Sequence, residues 1–131
     1  MNLAFYGTLR DPDILQRVTK GELESRLFKI ITVKGWACLR IEGEAYPLLR
    51  SDASACTAFH LYHECSEVSW RRLLAYEGDE YTFTVLTFEG TDYHVFMAEP
   101  TVNTSGEHWD FDAFQRLDKV RYLAELSDYS L

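Results

Sequence analysis

The chain reads as a single α+β domain with a mixed or largely antiparallel sheet, and three observations predict it. Strand-like and helix-like segments follow one another as strand, helix, strands, helix, strands, helix. That order belongs to neither a regular α/β repeat nor a helical bundle. The 131 residues suit one domain and are too few for two. Hydrophobic residues make up 47% and aromatic residues 15%, ample material for one packed core and too much for disorder. A chain of this length buries roughly two thirds of the surface it exposes when unfolded, so neither disulfide nor metal is needed to explain its stability. No repeat, low-complexity tract or linker divides residues 1–131.

Leu3 to Tyr6 is a short apolar run and Gly7 follows it, which predicts a buried strand ending in a tight turn. Asp11 suits a helix N-cap and Pro12 the first helical position, with the helix reaching about Thr19 before Gly21 breaks it. Leu27 to Ile41 is rich in β-branched residues and interrupted at Gly35, so two strands or one bent strand fit it. Glu42-Gly43-Glu44 is a turn. Ala45 to Leu49 is extended, because Pro47 drives Tyr46 out of the helical region, and Thr57 to Tyr62 is another strand.

Ser66 caps a helix running to about Tyr76, with Val68, Trp70, Leu73 and Leu74 as its apolar side and Gly78 as its C-terminal cap. Tyr81 to Phe88 and Tyr93 to Ala98 are strands of a hairpin joined through residues 87–92. Pro100 to Gly106 is a polar loop. Asp110 or Asp112 then opens a last helix, whose packing stripe is Phe111, Phe114, Leu117, Val120 and Leu123.

Charge and composition exclude several classes. The formal net charge is −8, from 21 acidic and 13 basic residues. Lys and Arg form no cluster of the kind that binds phosphate backbones or anionic lipid, so neither nucleic acid nor a membrane surface is an expected partner. No apolar run is long enough to span a bilayer. Met1 to Tyr6 has no basic region and no long apolar stretch, so no signal peptide is expected. Cys38, Cys56 and Cys65 are odd in number and form no C-x-x-C pair. They read as reduced thiols rather than a disulfide framework or a zinc site, and the cytoplasm is the expected compartment.

Two segments can carry chemistry. Tyr6-Gly7-Thr8-Leu9 lies between a strand and a helix start. Gly7 permits close approach of backbone to a ligand or a positive φ, and the amides beyond it can face an anion. The same string is also compatible with a plain tight turn. Tyr76-Glu77-Gly78-Asp79-Glu80-Tyr81 places Glu77 at a helix C-terminus, with Asp79 and Glu80 close by. The helix dipole, like charges and partial burial all favour protonation of its carboxyl, as a general base poised near neutrality requires. A solvated acidic turn is the alternative. His60 and His63 sit three apart on a strand and face opposite sides, a poor metal pair. His94 and His108 lack evident partners. Nothing in the sequence pairs Cys38 or Cys56 with a histidine as a nucleophile, and Thr104 and Ser105 have no nucleophile-elbow pattern.

Taken as a pair, Y-G-T-L at Tyr6 to Leu9 and L-x-x-Y-E-G-x-x-Y at Leu73, Tyr76, Glu77, Gly78 and Tyr81 resemble the γ-glutamylcyclotransferase-like family. The likeness is greatest to the branch of γ-glutamylamine cyclotransferases and plant AIG2-like proteins. Tyr46-Pro47-Leu48-Leu49 resembles the extended Y-P segment of that family, and the resemblance spans residues 1 to 98. Thr82 and Phe83 stand where family members often carry a basic residue, which bears on the leaving group accepted.

The resemblance implies a small mixed β-barrel flanked by helices, with a cavity at one end. It implies cyclisation of a γ-glutamyl amine or γ-glutamyl peptide to 5-oxoproline. In that reaction Glu77 is the base, the amides of Gly7, Thr8 and Leu9 hold the substrate, Tyr6 and Tyr81 line the pocket, and no metal or organic cofactor takes part. A non-catalytic module binding a small carboxylate or a protein on the same fold is the other reading. The sequence leaves the oligomeric state and the particular γ-glutamyl compound open.

Overall fold

The computed structural model describes residues 1–21, 23, 27–78 and 81–126. Its elements are β1 (Leu3–Phe5), α1 (Pro12–Thr19), β2 (Leu27–Ile41), β3 (Pro47–Tyr62), α2 (Glu67–Glu77), β4 (Tyr81–Phe88), β5 (Thr91–Ala98), β6 (Thr104–His108), α3 (Phe111–Leu117) and α4 (Lys119–Leu126). A 3₁₀ turn at Thr8–Arg10 separates β1 from α1. The six strands form one curled sheet in the order β4-β5-β1-β3-β2-β6, flanked by the helices. Among the described residues only β1 and β5 pair in parallel; the other pairs are antiparallel. The mixed α+β class is therefore the observed one. The barrel is a half-barrel, with β4 and β6 as the two edges among the described residues.

A long bent hairpin produces the curl. β2 is one strand of 15 residues. Lys34 pairs with Cys56 but Gly35 with Asp52, so residues 53–55 of β3 bulge out opposite Gly35. Ser54 folds back onto the Asp52 carboxylate through its amide at 2.9 Å and its hydroxyl at 2.7 Å. A bulge of this kind bends a strand and deepens its twist. β3 likewise joins the two predicted extended segments into one strand from Pro47 to Tyr62. Between β4 and β5 the turn is Glu89-Gly90, both with positive φ (52° and 81°), the left-handed pair that a two-residue hairpin needs.

The short β1 is the centre of the molecule. Leu3, Ala4 and Phe5 are all buried, because β3 and β5 flank the strand and both its faces are covered. The chain therefore leaves the core at Tyr6 with little freedom. The predicted caps are in place. Asp11 accepts from the amides of Asp13 (2.9 Å) and Ile14 (3.2 Å), Ser66 accepts from Ser69 at 3.0 Å, and Gly78 ends α2 with φ 70°.

Three expectations are corrected. The segment read as a polar loop includes β6, which pairs His108 with Leu39 and Thr104 with Ile41. Its sequence Thr-Ser-Gly-Glu-His has no apolar alternation, since an edge strand this exposed buries nothing. The last helix is two helices, α3 capped by Asp110 and α4 starting after Asp118. Its supposed stripe is not one face: Phe114 is buried, whereas Leu117 and Val120 are 73% and 83% exposed. Steps of three fall short of a 3.6-residue turn, so the row winds around the axis. On α2, Val68 and Leu74 are exposed, and the inward face is Ser69 and Leu73, with Trp70, Tyr76 and Glu77 half-buried beside them.

Candidate active site

A cavity of about 270 Å³ opens beside the end of β1. Tyr6, Gly7, Thr8, Leu9, Glu77 and Tyr81 all line it, so the structure brings every site residue predicted from the sequence to one place. Each arrives by a different route. β1 aims the Tyr6–Leu9 segment. The pitch of α2 puts Glu77 one turn beyond Leu73, which is fully buried, so Glu77 leaves the helix on its inward side. Tyr81 is the first residue of β4.

Gly7 has φ −116°, not the positive φ that a glycine permits. Its requirement is steric, because a Cβ there would lie 3.1 Å from Cγ and 3.3 Å from Cδ of Pro47. Glycine thus lets the first residue of β3 pack directly on the loop. The carbonyls of Gly7 and Thr8 accept from Arg10 and Asp11, both at 3.0 Å. Among the described residues, no hydrogen bond engages the amides of Gly7, Thr8 and Leu9 as donors, as is usual at the start of a helical turn.

Glu77 is half-buried as a residue, being open to the cavity on one side. Burial of its carboxyl on the other sides pushes the pKa up to about 8. The direction matches the sequence reading, but the cause is desolvation. Asp79 and Glu80, the neighbours that also pointed that way, lie outside the described residues. At neutral pH the carboxyl is therefore divided between its acid and base forms. Burial also raises Tyr6, Tyr76 and Tyr122, and the charge of Glu77 adds to each.

The hydroxyls around Glu77 fall into two sets. Tyr6 Oη donates to the Phe96 carbonyl and Tyr81 Oη to the Pro47 carbonyl, both at 2.7 Å, which braces two walls. Thr8 Oγ1 lies 2.7 Å from Tyr76 Oη, and Tyr76 Oη is hydrogen-bonded to Tyr122 Oη. Tyr122, Glu125 and Leu126 of α4 complete the cavity and were missed in the sequence. Tyr122 stands one residue before the packing residue Leu123, and its aromatic type was the signal that could have drawn notice.

Other candidates lie elsewhere. The Cys38 thiol donates to the Tyr6 carbonyl at 3.7 Å and burial pushes its pKa up to about 12, the opposite of an activated thiolate. Burial, with Arg10 adding to it, lowers His60 to about 4. His63 is bonded to Tyr93 Oη at 2.5 Å and stacks on Phe28, and His94 packs against Trp70. All three cysteines are free. No helix among the described residues is long and apolar enough to cross a membrane.

No family model and no curated protein matches the chain. Solved structures share its fold. The Arabidopsis thaliana protein At5g39720.1 is 22% identical, with a TM-score of 0.60 over 95% of this chain and 87% of that one. The uncharacterized protein PH0828 from Pyrococcus horikoshii is 17% identical, with a TM-score of 0.58 over 99% of both chains. A second Arabidopsis thaliana protein, At3g28950.1, is 14% identical, with a TM-score of 0.60 over 96% of this chain and 79% of that one. At these identities the likeness defines the fold alone.

Proposed function

We propose that this chain is a γ-glutamylcyclotransferase of the γ-glutamylamine cyclotransferase and AIG2-like branch. It converts a γ-glutamyl amine or γ-glutamyl peptide into 5-oxoproline and a free amine or amino acid. One observation carries the reading. Of the two carboxyls that line a small cavity, Glu77 and Glu125, burial raises that of Glu77 to about 8, and the facing loop offers unengaged amides.

That pairing suits intramolecular aminolysis. Glu77 in its ionised form takes a proton from the α-ammonium group of the γ-glutamyl moiety. The freed α-nitrogen attacks the γ-carbonyl carbon and closes the five-membered ring. Glu77 then returns the proton to the departing nitrogen, takes the second proton that the ring nitrogen must lose to become a lactam N–H, and passes it to the released amine, which leaves as an ammonium ion. A base whose pKa lies near the working pH does both steps well. Ring closure needs no second substrate and gains from proximity, so no metal or organic cofactor is invoked. The amides of Gly7, Thr8 and Leu9 hold the α-carboxylate, and Tyr6 and Tyr81 shape the walls. Three free cysteines suit a reducing cytoplasm.

Incubation with a panel of γ-glutamyl amines and γ-glutamyl peptides, followed by assay of 5-oxoproline, tests the reading. Release of 5-oxoproline from at least one of them is expected. If the wild type is inert towards all of them yet binds 5-oxoproline, the site is that of a non-catalytic carboxylate-binding module.

A further inference from the structure

The cavity assigns its hydroxyl hydrogens unequally. Each tyrosine hydroxyl has one hydrogen to give. Those of Tyr6 and Tyr81 go to backbone carbonyls, which donate nothing in return, so neither is left for a ligand. Thr8, Tyr76 and Tyr122 instead bond to one another. Tyr76 has one hydrogen, so it donates in no more than one of its links to Thr8 and Tyr122. When Thr8 donates to Tyr76 and Tyr76 to Tyr122, the hydrogen of Tyr122 is used by neither of those links and can turn from Thr8, which also lies within its reach, to the cavity. The ring of Tyr122 is held in place by Phe114 at 5.4 Å and Tyr46 at 6.4 Å between centroids. Apart from Glu77 and Glu125, the described lining residues are aromatic, aliphatic, small or hydroxylated. Negative charge developing on a ligand oxygen therefore meets neutral donors there.

Resting on the cyclotransferase reading, we propose that Tyr122 is a second catalytic residue. Its Oη–H donates to the γ-carbonyl oxygen of the substrate while that oxygen gains charge. As the α-nitrogen bonds to the γ-carbon, the π pair of the carbonyl moves onto oxygen and the Tyr122 hydrogen bond shortens towards it. When the pair returns, the bond from carbon to the departing nitrogen breaks, and that nitrogen receives its proton from Glu77. Tyr122 keeps its own hydrogen throughout. Thr8 and Tyr76 act behind it as positioning residues that set the direction of the chain.

Tyr122→Phe keeps the ring and removes only the hydroxyl. The expected result is a fall in kcat on the order of 10²-fold, as for loss of one oxyanion donor. KM and Tm should barely move. Affinity for 5-oxoproline, read by calorimetry, should weaken about 2–10-fold, the worth of one net hydrogen bond. A kcat near wild type, or a loss confined to KM, overturns the assignment. Should the wild type release no 5-oxoproline, the cyclotransferase reading fails and Tyr122 is judged on affinity alone. Weaker binding by Tyr122→Phe then supports its role as a donor to the ligand, and equal binding removes that role. Failure of 5-oxoproline to bind the wild type overturns both.

Discussion

The two walls of the cavity are built differently. The wall from β1, the 3₁₀ turn and α2 is anchored in the core: Leu3 and Leu73 are fully buried and Leu9 is nearly so. The wall from α4 has no buried residue. Tyr122, Leu123 and Leu126 pack on the core only in part, and polar contacts add to them: Tyr122 to Tyr76, Arg17 to the Leu123 carbonyl at 3.2 Å, and Lys119 to Asp11 at 3.0 Å and Asp13 at 2.7 Å. The first wall holds Glu77 and the amide loop to a fixed separation. The second closes the cavity from a helix that buries no residue fully. The base and the amide loop therefore sit on the wall anchored in the core, and the proposed donor Tyr122 sits on the wall held by ring contacts and hydrogen bonds.

Substitutions at matched depths can break that contrast. Leu73→Ala removes a fully buried side chain one turn before Glu77, and a loss of about 2–5 kcal/mol in unfolding free energy is expected. Val120→Ala on α4, at a residue 83% exposed, should change stability by no more than about 0.5 kcal/mol. Denaturant titration of both variants measures the difference, and similar losses would remove the distinction between the walls.

Lys119→Met tests the polar tie. Asp11 is fully buried and its carboxyl is shared by the α1 cap, Gln115 at 2.9 Å and Lys119. Losing the ammonium leaves that carboxylate under-compensated, at a cost of about 1–3 kcal/mol. Burial opposes ionisation of Asp11, but the hydrogen bonds from Gln115, Lys119 and Ile14 outweigh it and hold the pKa below its ordinary value. A depressed carboxyl pKa stabilises the fold above the unfolded value and ceases to do so as pH falls through the folded one. The Lys119→Met penalty should therefore shrink on acidification. A penalty independent of pH would mean that Lys119 acts through packing alone.

What the sequence makes legible follows the same division. Glycines, caps and short apolar runs are local signals, so β1, α1, the hairpin and the residues from Tyr6 to Leu9 and at Glu77 could be placed from residue order. The reason for Gly7 could not, because Pro47 reaches it only once β3 is folded. β6 carries no apolar pattern, since it buries almost nothing. Tyr122 packs on the core beside Leu123 and Leu126 on a helix with no fully buried residue, and the three-residue row read from the sequence named only Leu123 of these. The half-open curl of the sheet depends on the bulge opposite Gly35, and sequence alone marks only an interruption there.

Glu77 is where stability and function pull apart. Burial raises its folded-state pKa to about 8, above the ordinary value of 4.5 for a glutamate. The folded state therefore holds the proton more tightly, and stability falls as pH rises between those values. Glu77→Gln should abolish that fall and be the more stable protein at pH 8. The most direct test of the account is 5-oxoproline release by wild type and Glu77→Gln side by side across this pH range. Wild-type activity should climb as pH approaches about 8, and Glu77→Gln should be slower by at least about 10²-fold while still binding 5-oxoproline. Turnover by Glu77→Gln at a rate near that of wild type would contradict it.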